Sequence, residues 1–459
     1  MSRVEEVVRH LSQQIQEGVY RSGQKLPSVR DGARDHGISK NSMAEAYDRL
    51  VAQGYLIARR GSGYYAAEVA YPEHSRVTPH IREAVDIVSL LREQLDQQYD
   101  VRPGDGRPPL SWMEGSEIRR HFRNSRTTTG DVEYGYGSSW GYGPLRKWLR
   151  TSLSERSIAT SLDGIMLTHG VNHGLDLIIR HLLEPGDTVF VDSPGYYPLF
   201  AKLRLAKVTI VPITRRSDGP DLEEFASKLC VHRPKIFFTQ SQAHNPTGGW
   251  LSPANAFGLL QQADRHGFLI VEDDVFADLI APTLPRLAGF GQQERVLYVG
   301  SFSKTLSASL RCGYLAGSPA MIRDLVDLKM LTMVASSVYV ESLVYELIMS
   351  GQYLKHLRRL RARIEEATKA SVQALSELGL SAATPKVPCF YLWVPLPEGT
   401  VEQDFCRKAA ESNIFVAPAS VFEVERDVTR FPGMRVNVAY GASPQFVDFL
   451  HKQLRSASN

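Results

Sequence analysis

Long apolar runs are missing from this chain: none approaches the roughly 18 residues that a membrane-spanning helix needs. The opening residues Met1-Ser2-Arg3-Val4-Glu5-Glu6 are too charged to form the apolar core of a signal peptide. Cysteine is scarce. Cys230, Cys312, Cys389 and Cys406 lie far apart, without the paired spacing of a metal site or the density of a disulfide framework. No metal is therefore expected. There is no internal repeat and no low-complexity tract, so the chain is neither a solenoid nor a disordered tail. Excess charge of one sign is also lacking, since the net charge is only +3. These absences leave a soluble protein with no membrane partner, and the cytoplasm is the default compartment.

What is present fits an ordinary globular chain, with 43% hydrophobic and 22% charged residues. Its 459 residues exceed one typical core, so two or three domains are expected. The small excess of positive charge is concentrated. Residues 1–65 hold ten Lys/Arg against seven Asp/Glu, which accounts for the whole net charge. A phosphate-backbone partner would explain that bias, and so would an ordinary solvated surface.

The N-terminal pattern is helical. Val4, Val7, Val8, Leu11 and Ile15 recur at three- and four-residue steps, and Gly18 is placed to end that helix. A turn follows through Ser22-Gly23-Gln24. Ser28-Val29-Arg30-Asp31 reads as a capping box for a second helix that closes near Gly37. Ser39 caps a third helix running to about Gln53, with Ala44, Tyr47, Leu50 and Val51 as its expected buried stripe. Lys40, Asn41 and Ser42 crowd its first turn, where the second helix of a helix-turn-helix meets base edges. Residues 55–66 alternate across Arg59-Arg60-Gly61-Ser62-Gly63, which predicts a hairpin with a basic tip.

Three helices plus such a hairpin make a winged helix. The stretches Gly23-Gln24-Lys25-Leu26-Pro27-Ser28-Val29-Arg30, Gly37-Ile38-Ser39-Lys40-Asn41-Ser42 and Arg60-Gly61-Ser62-Gly63 resemble the GntR family over residues 3–67. The resemblance implies contacts to double-stranded operator DNA from Arg30, Lys40, Asn41, Ser42, Arg49, Arg60 and Gly61. A winged helix used for protein contacts is the alternative. The winged-helix domain is assigned to residues 1–70. Residues 71–99 read as a linker, polar around Pro72 and Pro79, with a helix over 84–98 predicted from Val85, Val88, Leu91 and Leu95. The turn-rich run Val101 to Pro109 opens the large domain, residues 100–459, whose small subdomain is expected at about 350–459.

Beyond residue 110, helical patterns alternate with short apolar runs at 188–192, 236–239, 268–271 and 296–299, each ending in a polar cluster. That is an α/β domain with a mainly parallel buried sheet. Ligands of such sheets gather at the carboxyl ends of the strands. The clusters there form an ordered set suited to pyridoxal phosphate. Gly170, Val171 and Asn172 precede an expected helix at 175–183, whose first amides can bind a phosphate. Tyr196 can stack on a ring. Asn245, in His244-Asn245-Pro246-Thr247-Gly248, can donate to a ring oxygen, and Asp273 can pair with a pyridine nitrogen. Lys304 can condense with an aldehyde to give a Schiff base. Ser301, Ser303 and Arg311 can hold the phosphate. Taken singly, each is more often a turn or a surface group; the order is what carries the reading.

This region resembles the fold-type I aminotransferases over residues 100–455. The resemblance adds Tyr136, matching a tyrosine that reaches the neighbouring subunit's phosphate, and Arg435, matching the arginine that grips a substrate carboxylate. It also implies a homodimer, in plain or domain-swapped form. Two positions depart from the pattern. Phe276 stands where the family has a tyrosine bonded to the ring oxygen. Pro388-Cys389-Phe390 replaces a glycine-rich turn, with Cys389 either narrowing the pocket or, the preferred reading, filling space as a small buried hydrophobe.

A winged helix ahead of an aminotransferase-like domain resembles the MocR-type regulators. The implied protein is a regulator rather than primarily an enzyme. Pyridoxal phosphate, a small amino-compound effector adding to it, or both would bias its DNA binding, and a residual half-transamination is compatible with that role. The alternative is an active aminotransferase with an auxiliary winged helix.

Overall fold

The computed structural model describes residues 3–16, 20, 23–59, 61–67, 99–113, 135–291, 294–397, 399–425 and 433–457. Gly18, Ser22, Arg60, and the linker with its expected helix over 84–98 lie outside the described residues. Internal contacts divide the chain into two compact units, Met1–Thr78 and Pro79–Asn459.

The first unit has helices α1 (Arg3–Gln16), α2 (Val29–Asp35) and α3 (Lys40–Ala52), then strands β1 (Leu56–Arg59) and β2 (Gly63–Ala66) paired antiparallel. The cap residues act as their types dictate. Ser28 Oγ accepts from the Asp31 N–H and Ser39 Oγ from the Ser42 N–H, each satisfying an orphan donor of the first turn. Val7, Leu11 and Ile15 of α1 close over α3. The stripe of α3 differs from expectation. Met43, Ala46, Tyr47 and Leu50 are buried, while Ala44 and Val51 lie half-buried on its flank. Met43 displaces Ala44 because a long flexible side chain can reach across to the neighbouring helix, α2.

The second unit is built on an eight-stranded sheet ordered β3-β10-β9-β8-β7-β4-β5-β6: Ile165–Thr168, Gly313–Ala316, Val296–Ser301, Leu269–Asp274, Ile236–Thr239, Thr188–Ser193, Thr209–Arg216 and Gly219–Pro220. The five strands from β9 to β5 run parallel, whereas β10 is antiparallel to both its neighbours, and β6 is antiparallel to β5. Two apolar layers, one including Phe190, Phe237 and Ile270 and the other Val191, Phe238 and Val271, cover the two faces of the sheet. Alternate residues of one strand serve opposite layers, the period-two rule of a buried strand.

A second, three-stranded antiparallel sheet, ordered β11 (Tyr391–Pro395), β13 (Gly433–Asn437) and β12 (Ala417–Pro418), carries its own core with the long helix Gln352–Glu377 and the helices Glu402–Glu411 and Pro444–Ala457. The chain entering this unit joins that small sheet region: Val101 bridges Ile414, and the Gly104 N–H donates to the Phe415 carbonyl at 2.8 Å.

One boundary moves in a way that matters. The helix after β3 begins at Val171, four residues earlier than expected, with Gly170 as its N-cap at φ 72°. His173 completes this helix start by accepting the His169 N–H on Nδ1 at 3.1 Å. Gly170 to Asn172 therefore form the cap and first turn themselves.

Candidate functional site

On the winged helix, Arg30, Lys40, Asn41, Arg49 and Gly61 are exposed. Ser42 is half-buried, and its hydroxyl shares a 2.8 Å hydrogen bond with that of Ser39, so capping already occupies it. Arg49 pairs with Glu45 at 2.7 Å, a surface ion pair worth about 0.3–0.5 kcal/mol that a phosphate can displace. Arg59, which the sequence reading did not single out as a contact, stacks over Tyr65 at 4.5 Å and adds a described cation to the wing.

In the second unit, Lys304, Asp273, Asn245, Ser301, Ser303, Arg311, Tyr196, Val171, Asn172 and Phe276 line one cleft of about 710 Å³. They come together because β4, β7, β8 and β9 end there. The acidic run at the end of β8 is split by strand alternation. Asp273 turns into the cleft. Glu272 and Asp274 turn away into the apolar layer. Glu272 accepts the Leu287 and Ala288 N–H groups, each at 2.8 Å, and Asp274 pairs with Arg286 at 2.7 Å. A run that composition would place in water is wholly buried, and each carboxylate has a different task.

Asp273 accepts from Gln240 Nε2 at 3.0 Å on Oδ2, while its Oδ1 is buried without a partner. Burial raises its pKa to about 7. The Gln240 hydrogen bond and Lys304 pull the other way, and Asp274 adds to the rise. Burial also lowers the pKa of Lys304, to about 8; Arg435 and Arg107 push it the same way, and Asp105 and Asp273 oppose. Ser303 Oγ is a second buried polar atom without a partner, and the Ser303 N–H is held by Ser301 Oγ at 3.0 Å. Gly170 lies against the Arg311 guanidinium: a Cβ there would stand 2.8 Å from Nη2. Helix start, serines and arginine thus form one cradle, and the orphaned atoms leave places for a donor to Asp273 and a hydrogen-bond partner for Ser303, which a ring N–H and a phosphate would fill. That matches the chemistry of pyridoxal phosphate.

Three further residues lie off the cleft wall. Arg435 is 1% exposed and is not on the cleft wall. It lies behind Asn245, donating to Asn245 Oδ1 at 2.8 Å and to the Gly104 carbonyl at 2.6 Å, its guanidinium between the Tyr391 and Phe422 rings. Tyr136 is 89% exposed and lies outside its own chain's cleft. Cys389 is buried, accepts the Tyr391 N–H on Sγ, and is also absent from the cleft wall, so it fills space as a small hydrophobe. Phe276 lines the cleft and packs on Phe390 and Tyr391.

The loop Pro103–Arg107, read from sequence only as a turn, does more. Its Gly106 carbonyl accepts from Lys304 Nζ and from the Tyr391 hydroxyl, and Gly104 occupies Arg435. Asn437 Nδ2 holds the loop through the Asp105 and Arg107 carbonyls, at 3.0 and 2.7 Å. Asp105 pairs with Arg102 and Arg107, each at 3.1 Å. Gly104 is required, because a Cβ would lie 2.5 Å from the Val416 backbone. Gln240 was missed too, although its place directly after β7 was a usable signal.

Comparison with known proteins agrees with both halves. Residues 3–65 match the model for bacterial regulatory proteins of the gntR family, and residues 134–449 match that for aminotransferase class I and II. The Escherichia coli HTH-type transcriptional regulator YdcR is 28% identical over 455 residues, covering 96% of each chain. YjiR of the same species, also an HTH-type transcriptional regulator, is 27% identical across 100% of this chain and 99% of its own. The Staphylococcus aureus HTH-type transcriptional regulator NorG is 23% identical over 81% of this chain and 86% of its own. Among solved structures, Pyrococcus horikoshii kynurenine aminotransferase superposes with a TM-score of 0.73 at 25% identity, over 82% of this chain and 95% of its own. No helix among the described residues is long and apolar enough to cross a membrane. The chain belongs to the aminotransferase class I and II family and carries that domain behind a GntR-type winged helix, the architecture of the MocR-type transcriptional regulators.

Proposed function

We propose that this regulator binds pyridoxal phosphate in the cleft and uses it to detect an amino compound, the result biasing its grip on DNA. The observation that supports this most is the pair of orphaned buried atoms, Asp273 Oδ1 and Ser303 Oγ, in the cleft that also holds Lys304. Each such atom costs about 1–3 kcal/mol unless a ligand completes it. The bound cofactor supplies an aldehyde with which amines condense. Lys304 is the residue to meet it, because a pKa near 8 leaves far more neutral, nucleophilic amine than an ordinary lysine has. Asp273 would hold a proton on the ring nitrogen. Ser301, Ser303, Arg311 and the Gly170–Asn172 helix start would hold the phosphate, Tyr196 would stack on the ring, and Asn245 would donate to its oxygen. Arg435 would receive an effector carboxylate in place of the Gly104 carbonyl.

We further propose a homodimer. The turn bearing Tyr136 is moored by Lys329, which donates to the Ser139 and Leu167 carbonyls at 2.8 and 2.9 Å. Nearby, Met330, Leu331, Val334 and Tyr339 are exposed, an apolar face that a second copy would cover while receiving Tyr136. The DNA-binding module is assigned to residues 1–70, the connecting segment to 71–99 and the ligand-binding region to 100–459. Two features favour regulation over turnover: the winged helix itself, and Phe276, which brings no hydroxyl to the ring oxygen. The same cleft supports the second reading, an active aminotransferase, since the rest of the set is present.

Adding pyridoxal phosphate to the purified protein should give a visible band, and borohydride should then fix the cofactor to Lys304, as read by peptide mapping. Lys304→Ala should abolish the fixed label. Label on another lysine overturns the assignment. Sustained cycling of an amino donor with a keto acid overturns the sensor reading in favour of the enzyme.

A further inference from the structure

We propose that Gln240 is a positioning residue that ties the ring-nitrogen partner Asp273 to the carboxylate clamp at Arg435. The inference rests on the cofactor reading above. Its basis is one unbroken chain of hydrogen bonds. Arg435 Nη1 donates to Asn245 Oδ1 at 2.8 Å, the Asn245 N–H donates to Gln240 Oε1 at 2.8 Å, and Gln240 Nε2 donates to Asp273 Oδ2 at 3.0 Å.

The amide orientation is dictated by its neighbours. A backbone N–H can only donate, so Oε1 must face Asn245, and Nε2 is left for the carboxylate. The backbone of Gln240 is fixed as well. Its N–H donates to Asp192 Oδ2 at 3.3 Å, and Asp192 is itself held by Thr239 at 2.7 Å and Arg215 at 3.2 Å. Gln240 is 7% exposed, so little solvent reaches either contact.

Two consequences follow. Asp273 has one oxygen satisfied by Gln240 and presents the other, Oδ1, to a ligand. Asn245 spends its N–H on Gln240 and its Oδ1 on Arg435, which keeps its Nδ2 for a ligand. The donor from Gln240 also favours the charged form of Asp273 against the burial that raises its pKa. A leucine has similar bulk but neither donates nor accepts. It would leave the Asp273 carboxylate without the only donor it has among the described residues and the Asn245 N–H buried without an acceptor.

The test is a pair of variants, each made in the wild-type and the Asp273→Asn background, with pyridoxal phosphate affinity read by titrating the apoprotein spectroscopically and folding checked by thermal melting. Gln240→Leu should weaken binding about 10- to 100-fold in the wild-type background, the range for hydrogen bonds to a charged group. In the Asp273→Asn background the loss should be clearly smaller, because the charged acceptor is already gone and only the Asn245 N–H contact remains to be broken. Gln240→Glu keeps the shape and the acceptor. Its carboxyl can replace the amide donor only while protonated, because two carboxylates so close share one proton. Its affinity relative to wild type should therefore be near one at about pH 5 and fall steadily towards about pH 8. Wild-type affinity in Gln240→Leu overturns the proposal, as does an equal loss in both backgrounds, which is the signature of a merely structural role. A Gln240→Glu ratio that ignores pH overturns it even if Gln240→Leu fails to fold. If wild-type protein takes up no pyridoxal phosphate, the cofactor reading fails and this inference fails with it.

Discussion

The winged helix and the cleft both gather groups suited to phosphates, and they do so in opposite ways. On the winged helix the cations are exposed, close in sequence and attached to short elements: Arg30 in α2, Lys40 and Arg49 in α3. In the cleft the groups come from the ends of several strands and are largely withdrawn from water, with Asp273 and Lys304 both shifted towards neutrality by burial. Exposed charge acts through a screened field and can meet any phosphate. Buried charge acts at short range on one shape of ligand, and only if every partner is in place. The first region should therefore respond mainly to salt, and the second to ligand structure and pH.

The sharpest way to break that contrast is at Arg435, the most deeply buried cation proposed to meet a ligand. Each member of a panel of amino acids should be compared with the amine that lacks its carboxylate, by the spectral change each causes in the cofactor-loaded protein. Wild type should prefer the carboxylated member. Arg435→Ala should lose that preference, by about 2–4 kcal/mol or some 30- to 1000-fold, because a desolvated carboxylate is left unpaired. Its cofactor band should persist, since Lys304 and Arg311 hydrogen-bond to the Gly106 and His169 carbonyls and not to Arg435. Arg435→Lys, which keeps the charge but not the planar fork, should fall between. A wild type with no preference would point to an amine effector without a carboxylate.

The next test uses salt. Binding of a random-sequence duplex, followed by anisotropy, should weaken linearly on a log–log plot as salt rises. Arg30→Ala and Lys40→Ala should each reduce that slope by about one unit if the residue meets a phosphate, with roughly tenfold weaker binding. A base contact would instead cost about 1–3 kcal/mol at one position of a specific site. Substitutions inside the cleft should leave the slope on this duplex unchanged. Wild-type slopes and affinities in both alanine variants would overturn the assignment of this face to DNA.

How much of each region could be read in advance follows the same contrast. The winged helix is governed by local rules, so its caps at Ser28 and Ser39 and its hairpin were predictable from neighbours in sequence. The buried stripe of α3 changed, keeping Tyr47 and Leu50 but with Met43 and Ala46 in place of Ala44 and Val51. In the large unit, Asp273 and Lys304 were recognisable because strand ends collect polar groups. The antiparallel insertion of β10 between β3 and β9 was not recognisable, because strand order depends on pairings between distant segments. Gly104 and Gly106 were invisible as participants because they act through backbone carbonyls, which every residue possesses. The burial of Arg435 was hidden for a related reason. A charged side chain in a strand looks solvent-facing until its acceptors, here a distant loop and Asn245, are known.

The smallest effect expected is also the most specific to the buried region, and it concerns Asp273 in the protein without cofactor. Its pKa is raised from 3.8 to about 7 by burial. The folded state thus keeps a proton that the unfolded chain has already released, and stability falls as pH rises through that window. The penalty is complete above about pH 7 and absent well below pH 4. Asp273→Asn carries no such charge. The melting temperature of Asp273→Asn minus that of wild type should therefore grow between pH 4 and 7 and then level off, by about 2–5 °C in all. Glu272 titrates in the same range but is common to both proteins, so it cancels in the difference. Lys304, with a pKa near 8, changes charge mainly above the window. Saturating pyridoxal phosphate should reverse the ranking, because a ring N–H would satisfy Asp273 Oδ1 in wild type and lose its charged partner in the variant. A difference that stays constant with pH would mean that Asp273 is ionised throughout and solvated like a surface carboxylate. The contrast between the two regions would then fail at the residue where it should be strongest.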